Sequence, residues 1–220
     1  MNRKTIHRAT IREVTVEVAS GLELLVHEHA DVDEVLAAAA GGAAVDPYAA
    51  ILWPTALAVA RELVGRVGAG VRVVDAGAGT GLCALTAARL GATSLALDHD
   101  VGALERIRGA AAAQGLEVAT ARFDLFGPDP LPAADVVVFA DVLYEVALAR
   151  AVAGRVAEAV NRGARVVVGD PGRVGRPEFE RELSRLGVNA SFRDVEVRLP
   201  GERRASVVGV AWIPGEPQHV

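Results

Sequence analysis

One stretch decides the fold, and it reads Val73-Val74-Asp75-Ala76-Gly77-Ala78-Gly79-Thr80-Gly81-Leu82. The run at 71–74 predicts a buried strand, and residues 82–90 favour a helix. The three glycines between them can adopt positive φ, so a ligand can lie against bare backbone. We therefore predict a strand, a tight glycine turn and a helix, the unit that binds nucleotide-like ligands in α/β proteins.

The acidic residues around this turn limit the class of ligand that it can bind. A second predicted strand, 94–97, ends at Asp98, 17 residues after Gly81, where a carboxylate can hold the two hydroxyls of a ribose. A dinucleotide fingerprint has the spacing G-x-G-x-x-G, whereas this chain has G-x-G-x-G with Asp75 two residues earlier. A carboxylate there repels a pyrophosphate but suits an ammonium or sulfonium group. A glycine turn without a ligand is the remaining alternative.

Composition bounds the class of protein. At 220 residues the chain is one large domain or one domain with an appendage, and its net charge of −5 predicts no nucleic-acid partner. The single cysteine, Cys83, excludes an internal disulfide framework and indicates a reducing compartment. We see no signal-peptide pattern and no apolar run long enough for a bilayer, so we expect a soluble, cytoplasmic protein without a membrane partner.

The N-terminal part differs from the rest. Alternating residues at 10–18 and 22–27 predict a β-hairpin, and a short helix is expected at 32–40. We therefore divide the chain into a hairpin and helix extension, residues 1–45, and a main domain, residues 46–220.

Two groups of side chains near this boundary are considered as ligand-binding residues. His27 and His29 share one face of the second strand, but no further ligands are evident, so we predict no metal site. Aromatic residues make up 4% of the chain, and Trp53 lies just before a helix predicted from Pro54 to about residue 67. Trp53 is interpreted as a lid or wall of the ligand site, with plain core packing as the alternative.

Acids follow two later strands as well. The strand at 118–123 ends at Asp124, and the apolar strand at 135–140 precedes Asp141. Ligands of open α/β sheets bind beyond the carboxyl ends of the strands, so we expect Asp141 and Tyr144 at the reaction centre. Asp141 could also cap the following helix, which should reach about Asn161.

The glycine turn resembles motif I of the class I (seven-strand) S-adenosylmethionine-dependent methyltransferases. Two final alternating runs, 191–197 and 205–213, read as an antiparallel pair that completes seven sheet strands. The resemblance implies a Rossmann-like α/β fold: a mostly parallel sheet of order 3-2-1-4-5-7-6 with helices on both faces, preceded by the hairpin extension.

Three further signatures suggest a branch. Leu52-Trp53-Pro54 resembles the entry segment of the seven-strand protein lysine methyltransferases, and Asp141-x-x-Tyr144 resembles their D/E-x-x-Y motif. Gly169-Asp170-Pro171-Gly172-Arg173 is similar to a segment of the electron-transfer-flavoprotein β-subunit lysine methyltransferases. The resemblance implies an N-methyltransferase that acts on lysine side chains of a protein partner, such as that β subunit, and converts S-adenosylmethionine to S-adenosylhomocysteine.

The resemblance also implies roles for residues. Asp75 and the glycines would hold the methionine end of the cofactor, Asp98 the ribose, and Asp124 would lie beside the adenine. The full implied set of cofactor contacts is Trp53, Asp75, Ala76, Gly77, Gly79, Thr80, Gly81, Leu82, Asp98, His99, Asp124, Leu125 and Ala140. Asp141 and Tyr144 would orient the target amine, with Asp141 as proton acceptor or electrostatic partner.

Other functions remain open at this point. The same fold and acids would serve a small-molecule N- or O-methyltransferase, or a binding module without turnover. Nucleic-acid methylation is disfavoured, because an Asp-Pro-Pro-Tyr-like motif is missing after the fourth sheet strand and no basic face is evident. The negative net charge favours a basic or neutral substrate.

Overall fold

The computed structural model describes residues 11–31, 33, 37 and 48–215. Its strands are β1 (Ile11–Ala19), β2 (Leu22–His29), β3 (Arg72–Ala76), β4 (Thr93–Asp98), β5 (Val118–Arg122), β6 (Val136–Ala140), β7 (Arg165–Asp170), β8 (Arg193–Val197) and β9 (Ser206–Ile213). Its α-helices are α1 (Pro54–Leu63), α2 (Leu82–Arg89), α3 (Val101–Ala113), α4 (Val146–Asn161) and α5 (Arg176–Arg185). A 3₁₀ helix, Tyr48–Ala50, precedes α1.

Seven strands form one sheet in the order β5-β4-β3-β6-β7-β9-β8. The first five of these pair in parallel, and β9 runs antiparallel to both β7 and β8. The predicted α/β fold and the predicted strand order are therefore confirmed. The strand order changes direction between β3 and β6, where Asp75 pairs with Val138, and this switch is where ligands of such sheets bind.

Local sequence explains where the helices begin and end. Asp100 caps α3, because its side chain accepts the N–H of Gly102. Helix α1 begins at Pro54 as predicted but ends at Leu63, four residues before the predicted end. The backbone of Val64 is extended and Gly65 has a φ of 75°, so the helix stops there. Within the described residues, no helix is long and apolar enough to cross a membrane.

The predicted hairpin is confirmed, and it packs into the main core. Strands β1 and β2 pair antiparallel, and their inward side chains belong to the same apolar cluster as α1 and β3; these are Val16, Val18, Leu24 and Val26. The Gln114 amide at the end of α3 accepts the N–H of Leu25 and donates to its carbonyl, both at 2.8 Å. The predicted helix at 32–40 and the proposed boundary at 45/46 lie largely outside the described residues.

Candidate functional site

A cavity of about 800 Å³ opens at the carboxyl ends of β3, β4, β5 and β6. Its volume falls in the roughly 300–1,000 Å³ range of ligand and cofactor sites. The wall combines the glycine turn, the acids that end the strands and an aromatic side; it includes Tyr48, Trp53, Asp75, Gly77, Gly79, Thr80, Asp98, His99, Asp124, Leu125, Phe126, Ala140, Asp141 and Tyr144. The sequence-predicted acids therefore meet in one place.

The glycine turn is shaped by two close approaches. Gly77 has a φ of 77°, and a Cβ there would lie 2.7 Å from Cγ1 of Val142. Gly81 has a φ of 76°, and a Cβ there would lie 2.5 Å from Ile107 on α3. The absence of a side chain at Gly77 therefore lets Val142 pack against the turn. At Gly81 it lets α2 and α3 pack closely.

Asp75 lies at the end of β3 with only 1% of its surface exposed. One carboxylate oxygen accepts the N–H of Ala84 at 3.0 Å, which ties β3 to the first turn of α2. Burial raises the pKa of Asp75 to about 7, and the nearby charge of Asp98 acts in the same direction. Asp75 is therefore partly protonated near neutral pH, and a cation in the cavity would favour its charged form.

Asp98 connects the glycine turn to the end of β4. Its two carboxylate oxygens accept the N–H groups of Gly79 and Asp100, each at 2.9 Å. Burial raises its pKa, and these two hydrogen bonds lower it. A carboxylate has about four acceptor positions, so two remain for the hydroxyls of a ligand. The adjacent His99 side chain is half exposed, with Nδ1 3.5 Å from Oδ1 of Asp98.

The loop after β5 supplies an apolar side of the cavity. Asp124 accepts the N–H of Phe126 at 2.9 Å, and Phe126 is 58% exposed at the cavity wall beside Leu125. Arg155 of α4 holds this loop by donating to the carbonyls of Leu125, Gly127 and Asp129. The sequence did not indicate this role, because the residues around Arg155 predict only a helix. Its partner Leu125 lies 30 positions earlier in the chain.

Asp141 follows β6 in an unusual conformation. It is the one non-glycine residue in the described part of the chain with a positive φ, 61°, and it is 9% exposed. Its carboxylate accepts hydrogen bonds from Oγ1 of Thr55 at 2.9 Å and from Nε of Arg173 at 2.8 Å. The alternative interpretation, that Asp141 caps α4, is wrong, since Glu145 occupies the N-cap position. A left-handed conformation turns the Asp141 side chain toward α1 and the loop after β7.

Aromatic rings and Arg173 surround Asp141. The Trp53 indole N–H donates to the Tyr48 carbonyl at 2.9 Å, and the Tyr48 and Tyr144 rings stack with centroids 4.7 Å apart. The guanidinium of Arg173 lies 5.2 Å from the centre of the Trp53 ring. The structure thus places Trp53 in the cavity wall, as its interpretation as a wall residue expects.

Some residues lie elsewhere than the sequence suggested. Three members of the predicted cofactor set, Ala76, Gly81 and Leu82, lie behind the cavity wall; Ala76 and Leu82 are fully buried. Cys83 is buried and also contributes to the wall, and burial raises the pKa of its thiol. Among the described residues, no three His, Cys, Asp or Glu side chains are grouped to hold a metal ion.

Comparisons with known proteins show the fold. No family model matches the sequence, and no curated protein matches it. A 16S rRNA methyltransferase from T. thermophilus, solved with AdoMet and guanosine, is similar with a TM-score of 0.62 and 18% identity. The match covers 94% of this chain and 51% of that one. This chain has the methyltransferase fold.

Two further solved structures support the same fold. A TehB-like SAM-dependent methyltransferase from Corynebacterium glutamicum has a TM-score of 0.56 and 18% identity, with 84% of this chain and 95% of that chain covered. The magnesium protoporphyrin IX methyltransferase of Synechocystis, with bound SAH, has a TM-score of 0.54 and 14% identity. That match covers 74% of this chain and 82% of the other.

Proposed function

We propose that this chain is an S-adenosylmethionine-dependent methyltransferase. The observation that carries the proposal is the Asp98 carboxylate, which is bonded to the backbone of the glycine turn and retains acceptor positions at the cavity. Solved proteins of the same fold contain AdoMet or SAH. Asp98, the glycine turn and the loop after β5 are the elements expected to meet such a cofactor.

The residues present fit this cofactor. Gly77 and Gly79 line the cavity with positive φ and no side chain, so a ligand can lie directly on the backbone of the turn. Leu125 and Phe126 offer apolar surface to an adenine ring, and Asp98 offers oxygens to a ribose. A buried carboxyl at Asp75 gains its charge most readily beside a cation, which matches an ammonium or sulfonium group better than a pyrophosphate.

Once bound, the cofactor supplies an electrophilic methyl group on a sulfonium ion. Asp98 and the glycine turn would hold this cofactor, so that an acceptor nitrogen in line with the methyl group would gain it and release one proton, and S-adenosylhomocysteine would remain. The contribution of the chain is alignment, for which Asp141 and the rings of Trp53 and Tyr144 form the adjacent wall. Water or Asp141 can accept the proton.

We propose a lysine side chain of a protein partner as the acceptor. The support is the Asp141-x-x-Tyr144 pattern together with the surface at the mouth of the cavity. The N–H of Gly175 donates to the carbonyl of Leu143, so the loops after β6 and β7 lie side by side. Val146 at the start of α4 and Val174 in the loop after β7 are 45% and 71% exposed, and such apolar surface suits contact with a protein. The electron-transfer-flavoprotein β subunit is the first partner to test.

A small-molecule acceptor is the second candidate. A cavity of about 800 Å³ lies near the upper end of the range for a single ligand, so a small acceptor could bind beside the cofactor. The apolar lining residues Leu125, Val142 and Leu148 would suit a flat or apolar metabolite.

The test uses radiolabelled S-adenosylmethionine with an extract of the source organism and, separately, with the purified flavoprotein β subunit. Protein and small-molecule fractions are then separated and counted. Label in a discrete protein band, much reduced with the Asp98→Asn variant, supports the lysine methyltransferase. Label confined to small molecules supports the second candidate. An absence of label from both fractions, in a protein that also fails to bind S-adenosylhomocysteine, would refute the methyltransferase proposal.

A further inference from the structure

Arg173 places a fixed positive charge beside Asp141, the residue proposed to orient the acceptor amine. Its Nε donates to Asp141 at 2.8 Å, and its backbone N–H donates to Asp170 at 3.1 Å. Its side chain is only 29% exposed and lies against the Trp53 ring. Asp141 raises the pKa of Arg173, so the guanidinium remains charged throughout the working range of pH.

Few other charged groups lie near the pair formed by Arg173 and Asp141. Asp170 of β7 and the Tyr48 hydroxyl face Arg173, and the uncharged Thr55 of α1 bonds to Asp141. Asp170 is fully buried with a raised pKa caused by that burial, and Arg176 lies near it. Of this group, Asp141 is the carboxylate that lines the cavity, and the Arg173 guanidinium neutralises its charge. Glu145 lines the cavity as well, four residues further along the chain.

We propose that Arg173 is a positioning residue that keeps the acceptor amine in its neutral, nucleophilic form. The inference rests on the proposed function, since it concerns the same acceptor. An unpaired carboxylate at Asp141 would hold an amine as an ammonium ion, which has no lone pair to attack a methyl group. Pairing with Arg173 removes that attraction, while the aligned oxygens of Asp141 still accept a hydrogen bond from a neutral amine.

The pair can be probed with two ligands that differ at one position. Sinefungin resembles S-adenosylhomocysteine, but a carbon that bears an amine replaces the sulfur, so its amine lies where the transferred methyl would be. The ratio of the two affinities therefore measures how well the site accepts an ammonium ion. Calorimetric titrations at pH 7.5 would give this ratio for the native protein and for Arg173→Met, Arg173→Lys and Asp141→Asn.

The expected order of preference for sinefungin is Arg173→Met above the native protein, and the native protein above Asp141→Asn. Each step should be on the order of tenfold, because one unit charge is removed near a partly buried amine. Arg173→Lys should stay near the native ratio, since it keeps the charge. In methyl-transfer assays Arg173→Met should also shift the rising limb of the pH–rate profile to higher pH, while Arg173→Lys restores the native limb.

The outcomes separate the two proposals. If the native protein does not bind S-adenosylhomocysteine, the proposed function itself is refuted. Intact binding with an equal or lower sinefungin preference in Arg173→Met would refute only the role of Arg173. Should Arg173→Met fail to bind S-adenosylhomocysteine, Arg173→Gln, which keeps a hydrogen-bond donor without the charge, is tested for the same increase.

Discussion

At the scale of single residues, Asp98 controls cofactor binding in this account. Asn at this position keeps the shape but loses the charge and offers one acceptor oxygen, which already has the Gly79 N–H to satisfy. Hydrogen bonds to charged groups contribute about 1.5–3 kcal/mol. We therefore expect Asp98→Asn to weaken S-adenosylhomocysteine binding by about 10- to 100-fold in calorimetric titrations.

The control is Asp194→Asn, which removes an exposed carboxylate from β8, far along the sheet from the cavity. It should bind like the native protein. Equal affinity in Asp98→Asn and Asp194→Asn would rule out the ribose-binding role of Asp98.

Asp75 predicts a dependence of stability on pH. Because its pKa rises from 3.8 when unfolded to about 7 when folded, the folded protein binds a proton that the unfolded chain has released between these values. The protonated form of Asp75 therefore contributes fully to the stability of the folded protein below about pH 4. This contribution is lost as the pH rises toward 7. Asp75→Asn cannot ionise, and its amide oxygen can still accept the Ala84 N–H.

We therefore expect Asp75→Asn to raise the ligand-free Tm by several degrees at pH 8, because each pKa unit is about 1.4 kcal/mol. Near pH 4.5 the two proteins should melt within a few degrees of each other. A native Tm equal to that of the variant at both pH values would show that Asp75 titrates normally.

The sequence alone predicted the positions of acidic residues that lie at the ends of strands. Asp98, Asp124 and Asp141 were predicted to meet because each follows a parallel strand, and the sheet does bring them to one edge. The bonds of Asp141 to Thr55 and Arg173 could not be predicted in this way. They join residues 86 and 32 positions apart, and only the packing of α1 and the loop after β7 against β6 brings them together.

At the scale of elements, the glycine turn and the loop after β6 fit only because Gly77 has no side chain. An Ala there must adopt a positive φ, at a cost of about 1–2 kcal/mol, and also displace Val142. Gly77→Ala should therefore lower the free energy of unfolding by more than this and abolish detectable cofactor binding. Urea unfolding and calorimetry would measure both effects.

Gly70→Ala is the matched control, because Gly70 has a φ of 83° but nothing lies within 4 Å of its added Cβ. It should lose stability by the backbone cost alone and bind the cofactor normally. The double variant Gly77→Ala/Val142→Ala should recover part of the lost affinity. Native binding in Gly77→Ala would show that the turn tolerates a side chain.

Helix starts were predicted better than helix ends. A capping side chain or a proline fixes a start locally, as Asp100 and Pro54 do. The end of α1 at Leu63 was missed because the apolar pattern continues through Val64 and Val67, although Gly65 turns the backbone away. Both valines pack against the core from the turn instead.

At the scale of the whole molecule, the hairpin and the seven-stranded sheet share one core. Leu24 is 1% exposed within the cluster that includes Val73 and Val136 of the sheet. Leu24→Ala should therefore cost about 2–5 kcal/mol of global stability. We expect a single urea transition, with the same midpoint by far-UV circular dichroism and by tryptophan fluorescence.

Leu22→Ala, at a partly buried position at the start of β2, should cost less than Leu24→Ala. Two separate transitions, with Leu24→Ala shifting only the first, would mean that the hairpin folds as an independent unit. The strand order was predictable because the glycine turn and the seven predicted strands resemble a known family, although within residues 48–215 no helix separates β5 from β6 or β8 from β9. The packing of the hairpin on α3 depends on side chains such as Gln114, whose partner lies 89 residues away.

The most direct test of the central claim is a calorimetric titration of the purified protein with S-adenosylhomocysteine and with NAD. The cavity at the carboxyl ends of β3 and β4 predicts one S-adenosylhomocysteine site per chain, weakened in Asp98→Asn, and no measurable heat with NAD. Binding of NAD in preference to S-adenosylhomocysteine, or binding of neither, would contradict the identification of this cavity as a methyltransferase cofactor site.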